Sequence, residues 1–332
     1  MRYLRDAGEG FWDVEYLDTY GNGKWLWPWL RSAISLAVIS RRYAPDVVHL
    51  NIASRGSFAR KLFLAFCTSK KSSALVGHIH GGGFADFATR GGRLRYRSVQ
   101  ALLRRLDIVV VLTPEIDALV RNASNSPTVQ VANGVSGPTA QMVAKEIADR
   151  AKRTGRLRVL YVGDVSLLKG SADLVQAVES LPFVELTLVG PMKDFEVSQR
   201  VSRSSALDRI SIAGSCSAQE VQAYLAAADV FVLPSHVEAF PLVVLEAFAH
   251  GLPVIATAVG ALPDIVGPTS GGILVPAQQP EALVDALLTL ADDEERAHLT
   301  FFARETWETR YDCKLFRTSI EEVWKKATSN GI

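Results

Sequence analysis

The sequence predicts an α/β protein built from two doubly wound parallel-sheet domains, and three observations carry that reading. At 332 residues the chain is longer than one small core requires. Its second half alternates short β-branched runs with amphipathic helical patterns, the signature of a parallel sheet flanked by helices. The first half repeats the same theme more loosely.

In chain order, the first half offers strands at 12–17, 46–50, 74–79, 107–112 and 128–132. The polar stretch 136–156 reads as a connection. Strand-like runs follow at 157–162, 184–189, 209–213, 230–234, 253–257 and 272–275. Helical patterns sit between and after them at 172–180, 218–228, 241–250 and 280–291. The run Asp292-Asp293-Glu294-Glu295 reads as a solvated loop. The stretch 304–327, with Trp307 and Trp324, reads as one helix. The expected division is a domain over 1–150, a second over 151–305, and a closing helical segment, 306–332.

Composition restricts the class. Half the residues are hydrophobic (48%) and 21% are charged, ordinary for a globular chain. No apolar run approaches the roughly 20 residues that cross a bilayer; 34–39 and 108–112 are too short, and no cleavable leader precedes them. Cys67, Cys216 and Cys313 have no paired spacing, so they read as buried thiols of a reducing compartment, and the expected location is cytoplasmic. The net charge of +1 hides an asymmetry: residues 1–150 carry +8 and residues 151–332 carry −7. A basic front half can face an anionic surface.

The segment 234–254, PSHVEAFPLVVLEAFAHGLPV, is the most informative. Pro241 suits the first turn of a helix and Gly251-Leu252-Pro253 its stop. Leu242, Val243, Val244, Leu245, Ala247, Phe248 and Ala249 make that helix apolar all round, hence buried. One carboxylate, Glu246, lies inside it, and another, Glu238, in the loop before. A buried Glu246 requires a dedicated donor. The amides of Phe240, Leu242 and Val243 open a helix and suit a phosphate. Other strand ends carry Gly163-Asp164-Val165-Ser166 leading to Lys169-Gly170, Gly190-Pro191, Gly214-Ser215, Asn133-Gly134-Val135, and Gly77-His78-Ile79-His80-Gly81-Gly82-Gly83. His78 and His80 alternate and so project to one side of their strand. No Asp-x-Asp pair or ligand spacing marks a metal site. No strand is followed by Gly-x-Gly-x-x-Gly, which argues against a nicotinamide dehydrogenase.

With Glu238-x7-Glu246 at its centre, the chain resembles family four of the retaining nucleotide-sugar glycosyltransferases, of the two-Rossmann (GT-B) kind and the bacterial surface-polysaccharide type. The resemblance runs from about residue 45 and is most specific between 230 and 276. It implies two facing Rossmann-like domains, with a hexose moved from a nucleotide sugar to a saccharide or polyprenyl-linked acceptor across the cleft between them. It implies that His80, Glu238 and Lys169 are the catalytic set: Lys169 on the diphosphate, His80 and Glu238 on the sugar. Glu246 would hold the ribose hydroxyls, with Phe240, Leu242, Val243, Ser166, Gly163, Gly190 and Gly214 completing the donor site. Gly81, Gly82 and Gly83 would form the acceptor-side loop. It implies no metal or other cofactor, and no nucleic-acid partner.

Two departures accompany the resemblance. The family's opening strand and glycine turn are not found at the start of the chain, so either the start is misassigned or truncated or the first sheet lacks its opening strand, and Asp164 stands where the family places an arginine. Arg55 is a candidate substitute cation. Both departures favour the alternative of a catalytically impaired protein of this fold that binds glycans or scaffolds a complex. The arginines at 90, 93, 95, 97, 104 and 105, with Trp25, Trp27 and Trp29, would suit peripheral docking on an anionic membrane face.

Overall fold

The computed structural model describes residues 13–14, 45–68, 73–80 and 83–329. The expected strand at 12–17, Trp25, Trp27, Trp29, Gly81 and Gly82 lie outside them, apart from 13–14, which form no strand. Two compact units emerge. One holds the described residues up to Asn133 together with those from Lys314, and the other is Gly134–Cys313.

The first unit is a four-stranded parallel sheet in the order β1-β2-β3-β4: Val47–Ile52, Ala74–Ile79, Ile108–Val111 and Thr128–Gln130. Helices Gly56–Cys67, Phe84–Thr89, Gly92–Leu103 and Pro114–Ala123 connect these strands. The last shows its sequence logic openly. Thr113 accepts from the Ile116 amide, Pro114 occupies the first turn with Glu115 and Asp117, and Arg121 lies in the last turn. Leu50, Ile52, Leu75, Ile79, Val109 and Val111 form one core with the helices. Val76, Ile108 and Val110 belong to a second core, which the helix Cys313–Ser329 closes with Ile320, Val323, Trp324 and Ala327.

The second unit is a six-stranded sheet, every pair parallel, in the order β10-β9-β8-β5-β6-β7. The strands are β5 Leu157–Val162, β6 Val184–Val189, β7 Ile210–Gly214, β8 Val230–Leu233, β9 Val254–Thr257 and β10 Gly272–Val275. Winding runs outward from β5 to β7, then restarts at β8 on the other side of β5. The point of reversal is the gap between β5 and β8, where open parallel sheets place their ligands. Arg209 is buried, and its guanidinium is satisfied by the carbonyls of Val178, Leu181 and Val184.

Several expectations need correction. The polar stretch 136–156 is not merely a connection: Thr139 accepts from the Met142 amide and starts the helix Ala140–Ala151. Asp292 likewise caps the helix Asp293–Thr306 through the amides of Glu294 and Glu295, so the acidic run is a helix start, not a loop. The single helix expected over 304–327 is broken. A π-turn at Trp307–Tyr311 follows the first helix, and a new helix begins at Cys313. Pro241 stands just before its helix with extended backbone (φ −78°, ψ 107°), and the helix is Leu242–Ala249. The cysteines are not buried: Cys67 is exposed and the other two are half-buried.

Candidate functional site

The carboxyl ends of the second unit's strands gather the site. Beyond β5, the Gly163 N–H donates to the Val189 carbonyl (2.9 Å), and beyond β6 the Gly190 N–H donates to the Gly214 carbonyl (2.7 Å). These contacts draw three strand ends together. A side chain at Gly190 would place its Cβ 1.8 Å from the Gly163 oxygen, so the close approach demands glycine. The Tyr161 hydroxyl, with its pKa raised by burial, donates to the Asp164 carbonyl at 2.6 Å and braces the loop from beneath. Ser166 is buried. Its hydroxyl accepts from the Lys169 amide (3.3 Å) and caps the 3₁₀ turn Leu167–Lys169.

Gly170 ends that turn at φ +66°, with the Pro234 carbonyl where a Cβ would be, 1.9 Å away. The turn therefore lies flush against the chain leaving β8, and the His236 N–H donates to the Leu168 carbonyl (2.9 Å). The result brings two distant residues together. Lys169 Nζ donates to Glu238 Oε2 at 2.7 Å, with 30% and 13% of the two side chains exposed. Ser235 Oγ also donates to Oε2 (3.3 Å), and the Ala239 amide donates to Oε1 (3.1 Å). Gly260, at φ +57°, and the Ala261 amide hold the 238–239 backbone from the β9 side.

Phe240 lies in the same loop, and the amides of Leu242 and Val243 open the next helix, where first-turn N–H groups have no carbonyl one turn earlier. Glu246 lies one turn in, half-buried, its pKa raised by burial. The donor expected for it is missing: among the described residues its carboxylate bonds to no protein group. Its acceptor atoms are uncommitted, which a ligand bearing hydroxyls would satisfy. Asp164 is exposed and pairs with no described cation.

The remaining candidates belong to the first unit. His80 directly follows β2, its N–H donating to the Ile52 carbonyl (2.7 Å) and its ring bonded through Nε2 to Asn51 Oδ1 (2.7 Å). His78 and His80 share a side as expected, their rings 3.9 Å apart. Gly83 precedes the helix Phe84–Thr89, and Arg55 precedes the helix Gly56–Cys67 at φ +56°. Asn133 and Gly134 straddle the passage between units, and Val135 bonds back to Tyr311 and Cys313. No group of three or more His, Cys, Asp or Glu able to hold a metal ion occurs among the described residues.

Sequence reading missed the supports. His236 Nε2 bonds Asp173 Oδ2 at 2.7 Å, and Gln278, at φ +60°, reaches His236 Nδ1 at 3.4 Å. Ser235, Gly260 and Asn51 were also missed. Only Gly260 carried a local signal, a glycine just after a strand; the others are legible only once strands are paired.

Comparison with known proteins agrees with this fold. The family model described as glycosyl transferases group 1 matches residues 143–305. A D-inositol 3-phosphate glycosyltransferase of Xylanimonas cellulosilytica is 39% identical over 177 residues, covering 51% of this chain and 42% of that enzyme. A second, from Paenarthrobacter aurescens, is 35% identical over 43% of this chain and 38% of its own. The chain thus spans less than half the length of these curated relatives. A Mycobacterium tuberculosis glycogen synthase is 26% identical over 93% of this chain and 77% of its own. Among solved structures, sucrose-phosphate synthase from Thermosynechococcus elongatus superposes with a TM-score of 0.74 at 24% identity, over 94% of this chain and 81% of the other. Anabaena HepE in complex with UDP and glucose gives 0.69 at 19%, over 89% and 81%. Residues 143–305, the greater part of the six-stranded unit, thus match the glycosyl transferases group 1 family, on a fold of two parallel α/β sheets.

Proposed function

We propose that the protein transfers a hexose from a nucleotide sugar to a hydroxyl acceptor, with retention at the anomeric carbon. The observation that carries this reading is the Lys169–Glu238 pair, 2.7 Å apart at the sheet's winding reversal and a few residues before a helix N-terminus. Glu238 offers carboxylate oxygens to sugar hydroxyls. Lys169 and the amides at Leu242 and Val243 offer positive charge to a departing diphosphate. Glu246 takes the ribose hydroxyls, with Phe240, Gly163, Ser166, Gly190 and Gly214 around the nucleotide. His80, on the first unit, is read as a contact to the transferred sugar, and Gly81, Gly82 and Gly83 as the acceptor loop. The leaving diphosphate itself takes up the acceptor's proton, so neither an enzyme nucleophile nor a metal is invoked. HepE, a likeness in fold, was solved with UDP and glucose.

Thermal shift against UDP, GDP and ADP tests the donor class, followed by hydrolysis of the matching nucleotide hexose by wild type and Lys169→Ala. Stabilisation by one nucleotide and loss of turnover in the variant are expected. No stabilisation, with equal turnover, removes the reading.

Surface-polysaccharide or lipid-linked oligosaccharide synthesis is the finer proposal, with peripheral membrane docking. The helix Gly92–Leu103 exposes Arg93, Arg95 and Arg97 with Leu94, beside an open groove of about 470 Å³ lined by Thr89, Tyr96 and Gln100. No helix among the described residues is long and apolar enough to span a membrane. Pelleting with anionic but not neutral vesicles supports docking; equal or absent binding ends it. The second reading, an impaired glycan-binding protein, is favoured by exposed Asp164. A gain in nucleotide affinity in Asp164→Arg would mark this loop as the weakened element.

A further inference from the structure

Asn51 lies on β1 directly opposite His78 on β2, and its amide oxygen meets His80 Nε2 at 2.7 Å. A carbonyl oxygen only accepts, so the ring nitrogen facing it carries the proton. We infer that Asn51 is a positioning residue that holds His80 as the neutral Nε2–H tautomer, leaving Nδ1 as an acceptor for a hydroxyl and not a cation for phosphate. The inference rests on the glycosyl-transfer reading only for whose hydroxyl is taken.

The surroundings enforce neutrality. The His78 ring stacks at 3.9 Å, and His49 follows at 5.5 Å from His78. His49 Nδ1 accepts from Trp324 Nε1 at 2.8 Å, so its own proton also sits on Nε2. The groups packed from the closing helix, Trp324 and Phe316, are uncharged. Among the described residues the titratable neighbours of His80 are the other two histidines, and no carboxylate is bonded to any of the three rings. A proton on one ring would be repelled by a proton on the next. Burial, the largest cause, pushes His80 down to about 4 and His49 to about 3, and holds His78 well below its ordinary value. Asn51 Nδ2 has no other protein partner among the described residues, so the amide's side-chain contact is to His80 alone.

The test is long-range ¹H–¹⁵N NMR of the imidazoles in the full chain without donor, from pH 4 to 8, with His80 assigned by loss of its signals in His80→Gln. Wild type should show a protonated Nε2, a bare Nδ1 and no titration above about pH 5. Asn51→Asp keeps the acceptor but adds a charge, and should move His80 up by one pH unit or more. Asn51→Leu should release the tautomer. In donor hydrolysis, Asn51→Asp should add a new inflection to the pH profile of kcat that Asn51→Leu lacks. A wild-type Nδ1–H tautomer, or an Asn51→Leu spectrum identical to wild type, overturns the inference. If the substituted chains do not fold, the wild-type tautomer alone decides. Because the spectra need no donor, failure of glycosyl transfer would leave this result readable on its own.

Discussion

Lys169 and Glu238 are 69 residues apart in sequence and share a hydrogen bond. Under the proposed chemistry Lys169 meets charge that develops as the diphosphate leaves, so Lys169→Ala should lower kcat by about 10²–10³-fold. Steady-state donor hydrolysis measures this. Glu246 acts in the opposite sense on stability. Burial raises its pKa in the folded state, so the folded chain binds that proton more tightly than the unfolded one. The carboxylate's destabilising effect is absent at low pH and grows as pH rises from its ordinary value through the raised one. Glu246→Gln should therefore melt higher than wild type at pH 7, with the gap closing toward pH 4, while binding the nucleotide more weakly. Scanning calorimetry at both pH values, paired with nucleotide titration, checks both signs. Gly170→Ala is the third single change of consequence. A Cβ there meets the Pro234 carbonyl at 1.9 Å on a left-handed backbone. The strain should cost about 1–3 kcal/mol in urea unfolding and displace Lys169 with it.

At the scale of elements, β5, β6 and β10 fall where their apolar runs predict, because buried parallel strands read as continuous hydrophobic segments. The helix Leu242–Ala249 was legible for the same reason, bracketed by Pro241 and by Gly251 at φ +61°. Ala140–Ala151 was not. It buries Val143 as its one fully covered side chain, so its pattern looks like a solvated linker. The break at Trp307–Tyr311 was invisible because both flanks are helical, and tertiary contacts hold the turn: Trp307 Nε1 donates to the Val135 carbonyl, and the Val135 amide donates to the Tyr311 carbonyl. The site divides likewise. Lys169, Glu238 and the strand-end glycines were recognisable as local motifs, whereas Asp173, His236 and Asn51 act through partners on other elements. The helix Cys313–Ser329 makes a prediction of its own. Trp324→Ala removes a buried ring that covers β2 and β3 and a bond to His49, and should destabilise the first unit by about 3–5 kcal/mol. Hydrogen exchange resolved by peptide should show that loss in β1 to β3 and leave β5 to β10 protected.

The molecule as a whole should fall apart in acid one unit at a time. The first unit holds three histidines with depressed pKa values. Unfolded histidine takes up protons below about 6.5, so that unit loses stability as pH falls from 6.5 toward 4. Exchange at pH 5 should expose the first unit's strands before the second's, and a single cooperative transition would overturn this expectation.

The first unit is discontinuous in sequence, since it includes residues up to Asn133 and from Lys314 onward, while Gly134–Cys313 forms a contiguous block. A ribosome delivers such a chain out of spatial order. The block can settle as soon as it emerges, but the sheet made earlier must wait about 180 residues for the helix that covers Val76, Ile108 and Val110. During that interval its apolar face is open to chaperones and to other nascent chains, and the arrival of Cys313–Ser329 ends the exposure.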